Sequence, residues 1–265
     1  MSEQKSPQTI QTILMDMDGV LVRGAHLIPG ADTFVARLRA AQRRFLILTN
    51  NSMYTPRDLQ ARLNLIGLHV ETNEIYTSGL ATAQFLQLQK PGGTAYVIGE
   101  SGLTTALHDA GFVLTDVNPD YVVLGETITY SFQRLTQAIR LILGGARFIA
   151  TNPDAIGPSE SGLIPATGSV AALIAEATGI KPFYIGKPNP LMMRTALRQL
   201  GGHSESSVMI GDRMDTDILA GTEAGMRTIL VLSGVTNIDK VDRFPYRPTQ
   251  VAGSIAEIDI DALLA

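Results

Sequence analysis

Short apolar runs that stop at polar or glycine-containing turns recur along this chain, with helix-periodic stretches between them. Ile13, Leu14 and Met15 form one run and stop at Asp16; Phe45, Leu46, Ile47 and Leu48 form another and stop at Thr49. Runs this short, apolar at consecutive positions and bounded by turn residues, read as strands buried on both faces. Between these two, Phe34, Val35, Leu38 and Ala41 recur at helical spacing behind Pro29 and Gly30, which makes a strand, helix, strand unit. Thr55 before Pro56 is a helix start, Leu59, Leu63 and Ile66 supply the apolar stripe, and Gly67 is the stop. The same reading predicts strands over 95–98, 121–124, 148–150, 183–185, 208–210 and 228–232, with helices over 132–143 and 191–200. Sustained alternation of this kind predicts the α/β class with a parallel sheet.

Composition narrows the picture. The 265 residues allow one large domain or two modest ones. With 45% hydrophobic and 17% charged residues the chain is globular rather than disordered. Its net charge is −4, and no Lys or Arg run exceeds a pair, so the electrostatic footprint of a nucleic-acid polymer or anionic membrane partner is missing. The absence of cysteine removes thiolate catalysis, disulfides and Cys-based zinc sites. The N-terminal M-S-E-Q-K-S-P-Q lacks an apolar signal core and no stretch reaches membrane-span length, so a cytoplasmic location is expected.

Asp16 and Asp18 follow a buried strand, and ligands of open α/β sheets bind beyond the carboxyl ends of strands. A spacing of two on an extended backbone points both carboxylates one way, and Gly19 lets the chain turn behind them. An Asx-type turn would look the same in isolation. A calcium loop fits poorly, because Gly19 is fourth and Leu27 twelfth counting from Asp16, where an EF-hand needs Gly at six and Glu at twelve. After the run 208–210, G-D-R-M-D-T-D-I gathers Asp212, Asp215 and Asp217. Asp215 or Thr216 can cap a helix that begins at about Asp217, which leaves Asp212 unexplained. Repelling carboxylates at neighbouring strand ends make sense around a hard cation, and Mg2+ takes oxygen ligands together with phosphate oxygens. Lys187 stands between Gly186 and Pro188 after a third strand; lacking the Walker A glycines, it is read as a fixed cation for a phosphate. Thr49, Asn50, Asn51 and Ser52 offer hydroxyl, amide and backbone donors after a fourth strand. The segment R-F-I-A-T-N-P-D from Arg147 echoes R-F-L-I-L-T-N-N from Arg44, either as two similar strand ends or as a second strand-to-loop phosphate site.

Taken in order, D-M-D-G-V, L-T-N-N-S, G-K-P and G-D-R-M-D-T-D-I resemble the four motifs of the haloacid dehalogenase-like superfamily. Through T-S-G-L-A-T-A, Y-V-I-G-E, F-I-A-T-N-P-D, K-P-F-Y-I-G-K-P and T-I-L-V-L-S-G-V, nearly the whole chain is similar to its NagD-type, class IIA subgroup. The resemblance implies a Rossmann-like core from residues 1–78 and 182–265 with an inserted α/β cap domain over 79–181. It implies a Mg2+-dependent phosphomonoester hydrolase, with Asp16 as nucleophile and Asp18 as acid/base through an aspartyl phosphate. It also implies metal ligation by the carboxylates of Asp16 and Asp212 and the backbone carbonyl of Asp18. Asp217 would steady Lys187, and Arg213, Met214, Asp215 and Thr216 would line the phosphate site. Asp18 separates the chain from dehalogenases, which lack this second Asp, and from transport ATPases, which have Thr there. The expected substrate is a small phosphorylated metabolite, a UMP-like nucleoside 5′-monophosphate and/or a sugar phosphate, and a homodimer is compatible with the subgroup. A phosphometabolite-binding module without turnover, or a phosphotransferase or phosphomutase, is the alternative. In the cap, Asn152, Asp154 and Tyr130 could touch substrate or serve local folding, and they are left outside the site.

Overall fold

The two apolar runs nearest the start of the chain become adjacent strands of one sheet, with Asp16 at the end of the inner one. A computed structural model describes residues 9–159 and 162–264; the M-S-E-Q-K-S-P-Q segment lies outside the described residues. Among the described residues no helix is long and apolar enough to cross a membrane. They form two compact units. One comprises the described chain up to Thr49, Gln60–Ile75 and the chain from Met193 onward; the other comprises Asn50–Leu59 and Tyr76–Met192.

The sheet of the first unit runs in the spatial order Gln250–Ala252, Arg227–Val231, Ser207–Gly211, Thr12–Asp16, Arg44–Thr49, Ile75–Thr77. Thr12–Asp16 pairs in parallel on both sides, with Met15 opposite Ile210 on one and Ile47 on the other. Its successor in sequence lies on one flank and a strand from the last third of the chain on the other. The strand order therefore reverses at Asp16, the position where open α/β sheets take their ligands. Every residue of Thr12–Asp16 and Ser207–Gly211 is buried, as expected for strands covered on both faces. The helix Ala31–Ala40 buries Phe34, Val35 and Leu38, while Ala41, which the spacing puts in the same stripe, is its exposed C-cap.

The helix Pro56–Leu65 starts as predicted: Thr55 Oγ1 accepts from Asp58 N at 3.1 Å, and Asp58 Oδ2 accepts from Thr55 N at 3.1 Å. Leu59 and Leu63 are buried, and Ile66 falls past the last helical residue.

The second unit carries its own parallel sheet, in the order Phe183–Tyr184, Arg147–Ala150, Tyr121–Leu124, Thr94–Ile98, Val113–Leu114. Ile98, Val122, Leu124, Phe148 and Ala150 pack with Ala138 and Ile142 of helix Phe132–Leu143 and with Ala171 and Ile174 of helix Thr167–Thr178. The strand expected over 183–185 is one residue shorter, although Ile185 N still donates to Ala150 O at 3.1 Å. An antiparallel hairpin, Ile156–Ser159 with Gly162–Pro165, has no counterpart in the sequence reading, because Pro158 and Pro165 break any strand pattern there.

The sheet of the second unit is pinned at one end by Asp120. Its carboxylate pairs with Lys90 Nζ and accepts from Thr94 N at 2.9 Å and Thr94 Oγ1 at 3.0 Å. The Lys90 hydrogen bond, helped by the Thr94 amide, holds the Asp120 pKa down to about 2. A depressed carboxylate pKa stabilises the fold above its unfolded value of 3.8, and that contribution disappears as pH falls from about 4 to about 2. Asp120→Asn is expected to lose on the order of 1 kcal/mol at neutral pH, given a half-exposed lysine partner. Chemical denaturation at pH 7 and at pH 2 measures it: the gap between wild type and variant should close in acid, and an unchanged gap would refute the assignment.

Candidate active site

Asp16 closes one central strand, and Asp212 directly follows Gly211 at the end of its neighbour. Their carboxylates converge with that of Asp217: all three are buried, and one oxygen from each lies within 4.8 Å of the others. A backbone N–H aims each of them. Met17 N donates to Asp16 Oδ1 at 2.7 Å, Val235 N to Asp212 Oδ2 at 2.7 Å, and Arg213 N to Asp217 Oδ2 at 3.1 Å. These three hydrogen bonds hold the trio in a fixed orientation. Three hard oxygen donors gathered out of water suit a divalent cation, and the trio can hold one. Asp18 is not part of it; its side chain is exposed and its backbone bridges to Val22.

The fit depends on bare backbone around Asp212. A Cβ on Gly19 would lie 2.4 Å from Asp212 Oδ2, and one on Gly234 only 1.9 Å from it. Both glycines are needed for the chain to approach the carboxylate from two sides, and Gly19 also adopts a φ of 78°. This partner loop has no role in the expectations drawn from the sequence. Ser233, Gly234, Val235 and Thr236 follow the strand Arg227–Val231, and the S-G pair after an apolar run was the available signal. Thr236 completes the contact: its N–H donates to Asp212 O at 3.2 Å and its Oγ1 accepts from Met214 N at 3.3 Å.

The expected helix start at Asp217, capped by Asp215 or Thr216, is not what forms. Met214–Ile218 is a wide turn with Arg213 at its N-cap; Asp217 N and Ile218 N both donate to Arg213 O at 3.1 Å, and the α-helix Leu219–Glu223 follows. The wide turn tucks Asp217 inward, where its carboxylate receives the Arg213 N–H instead of remaining on a helix surface. Asp215 faces outward, and Arg213 Nε and Nη2 grip its carboxylate at 3.1 and 2.9 Å. Burial works to raise the Asp215 pKa, but the Arg213 hydrogen bond and charge outweigh it and hold the group below its ordinary value. Met214 and Thr216 are buried, and Tyr246 OH secures Met214 O at 3.0 Å. Thr49, the last strand residue before the L-T-N-N-S turn, is buried as well.

Asn50, Asn51 and Lys187 belong to the second unit. The Asn50 amide is committed to the chain: Nδ2 donates to Asp154 Oδ2 at 2.8 Å and to Lys187 O at 3.0 Å, and Oδ1 accepts from Lys187 N at 2.9 Å. It fastens the backbone that carries Lys187, whose residue is 2% exposed. Asn51 Oδ1 closes an Asx-type turn with Met53 N and Tyr54 N, both at 3.1 Å. Buried Ser52 receives Glu126 N at 2.9 Å and lies 3.2 Å from Thr151 Oγ1, while Asn152 Nδ2 donates to Asn50 O at 2.9 Å. The strand end that echoes R-F-L-I-L-T-N-N thus supports the L-T-N-N-S loop itself. Tyr130 OH, likewise, donates to Gly125 O at 3.0 Å.

Gly234→Ala tests the cradle around Asp212. Pushing that carboxylate aside is expected to weaken the thermal stabilisation given by Mg2+ or Mn2+ by about tenfold or more in half-saturating concentration. An unchanged metal titration in a folded variant would show that the close approach is incidental.

Known proteins resemble this chain over most of its length. A family model described as haloacid dehalogenase-like hydrolase matches residues 13–113, and a HAD-hydrolase-like model matches residues 184–258. The chain is 61% identical to a dihydroxyacetone phosphatase of Corynebacterium glutamicum over 92% of this chain and 89% of that protein. It is 45% identical to the ribonucleotide monophosphatase NagD of Escherichia coli over 95% and 99% of the two chains. The solved structure of that organism's NagD superposes with a TM-score of 0.91 at 44% identity, covering 96% of this chain and all of the other. The chain belongs to the haloacid dehalogenase-like hydrolases and, among them, to the NagD-type phosphatases.

Proposed function

We propose that the protein is a Mg2+-dependent phosphomonoesterase that works through an aspartyl phosphate on Asp16, with small sugar phosphates and nucleoside 5′-monophosphates as its substrate range. The observation that carries the reading is the buried trio of Asp16, Asp212 and Asp217 at the reversal of strand order. Mg2+, when bound by Asp16 and Asp212 together with the backbone carbonyl of Asp18, would offset phosphoryl and carboxylate charge. Asp16 attacks phosphorus as the bond to the leaving oxygen breaks, and Asp18 gives that oxygen its proton. Asp18 then takes a proton from water as the water attacks phosphorus, and the bond between phosphorus and the Asp16 carboxylate oxygen breaks to free phosphate. The exposure of Asp18 beside buried Asp16 supports this division, since an acid/base must meet both leaving group and water.

The remaining roles follow from the family resemblance. Thr49, Asn50, Lys187 and the turn Arg213, Met214, Asp215 and Thr216 serve the phosphate group, with Asn51 and Asp217 supporting them. Asn50 does so by holding the Lys187 backbone, and the inserted segment 79–181 acts as the cap that selects the leaving group. The 61%-identical relative is named for a triose phosphate, which favours the sugar-phosphate arm of the range over the UMP-like arm.

Asp16→Asn is expected to lose Mg2+-dependent phosphate release by roughly 10⁴-fold or more. Phosphate release from dihydroxyacetone phosphate, glycerol phosphates, UMP and other nucleoside monophosphates, with and without Mg2+, tests both parts. Turnover that survives in the variant would sink the nucleophile assignment, and faster release from UMP than from every sugar phosphate would reverse the substrate order.

A further inference from the structure

Ser233 touches the hairpin that follows the nucleophile at two points. Its Oγ donates to Gly19 O at 2.6 Å, directly after Asp18, and its carbonyl accepts from Arg23 Nη2. That hairpin is slight: Val22–Arg23 pairs with His26–Leu27 over two residue pairs, Val22 opposite Leu27 and Arg23 opposite His26. At its base, Gly19 N donates to Val22 O at 2.8 Å, while Leu21 N and Val22 N donate to Met17 O at 2.9 and 3.0 Å. A two-stranded ribbon this short has little stability of its own. The Ser233 hydroxyl and carbonyl therefore tie base and tip to a loop whose next residues, Gly234 and Val235, abut Asp212.

We propose that Ser233 is a positioning residue for Asp18: it fixes the Asp18–Gly19 turn, and with it the proton donor, relative to the Asp16 and Asp212 carboxylates. This rests on the phosphatase reading above, in which Asp18 protonates the leaving oxygen. An acid displaced from its line of transfer costs most where the leaving group is a poor one, because an activated aryl oxide departs with little need of a proton. Ser233 touches no substrate in this account, and its hydroxyl acts through Gly19.

Ser233→Ala is expected to lower kcat for sugar phosphates by roughly 10- to 100-fold with KM little changed. For p-nitrophenyl phosphate the fall should be several-fold smaller, a split that a general loss of stability would not produce. Ser233→Thr, which keeps the hydroxyl, should restore most of the rate. Amide hydrogen exchange supplies a readout independent of turnover: residues 18–23 should exchange faster in Ser233→Ala than in wild type. Equal falls for both substrate types, or unchanged exchange at 18–23, would overturn the proposal. Turnover surviving in Asp16→Asn would instead overturn the parent reading, leaving the exchange comparison to judge the hold of Ser233 on the turn.

Discussion

Three carboxylates brought within 4.8 Å of one another in a buried position are the constraint around which the first unit is built. Each pair of like charges at that separation costs on the order of 3 kcal/mol at the effective dielectric of a protein. A parallel sheet makes the convergence feasible, since the ends of Thr12–Asp16 and Ser207–Gly211 lie side by side in fixed register. The backbone offsets part of the repulsion with three N–H groups, and a hard cation can offset the rest. Loop conformation is subordinate to this demand. The bare backbone at Gly19 and Gly234 and the wide turn of Met214–Ile218 each serve to admit or aim one member of the trio.

Much of this was legible in the chain because the chemistry sits where strong patterns stop. Asp16 and Asp212 stood out as acids directly behind fully apolar runs, and the strands around them fell within a residue of expectation. Asp217 was only half visible. Its residue type belonged to the acidic cluster, but periodicity distinguishes a helical face from other faces and carries no sign of an i→i+5 turn that swings a side chain inward. Asn50 was half visible for a different reason. A donor-rich T-N-N-S turn looks the same whether its amides meet a ligand or their own chain, and here the Asn50 amide meets Lys187 and Asp154, residues more than a hundred positions away. The loop 233–236 is the least legible part, since a serine and a glycine carry no charge by which to notice them.

The second unit repeats the architecture without repeating the chemistry. Its sheet also reverses strand order, between Thr94–Ile98 and Tyr121–Leu124, and so has the crevice that usually receives a ligand. The chain fills that position itself. Glu126 N donates to Ser52 Oγ, and Gly102 N to Met53 O at 2.9 Å, so the loop after Thr49 occupies the strand ends as a ligand would. Any small molecule binding there would first have to displace Ser52 and Met53.

The register of Met15 against Ile210 also governs when the site can exist during biosynthesis. The strand that ends in Asp16 is among the first made, yet its inner neighbour emerges 195 residues later, counting from 15 to 210. At ribosomal speeds of about 5–20 residues per second, the nascent strand waits roughly 10–40 s for that partner. Throughout that interval it presents an unpaired apolar edge, the kind of surface that invites pairing with other chains. Arg227–Val231 and Gln250–Ala252 complete the sheet only later still, and termination before Ser207 would leave Asp16 at the end of a strand open on that side.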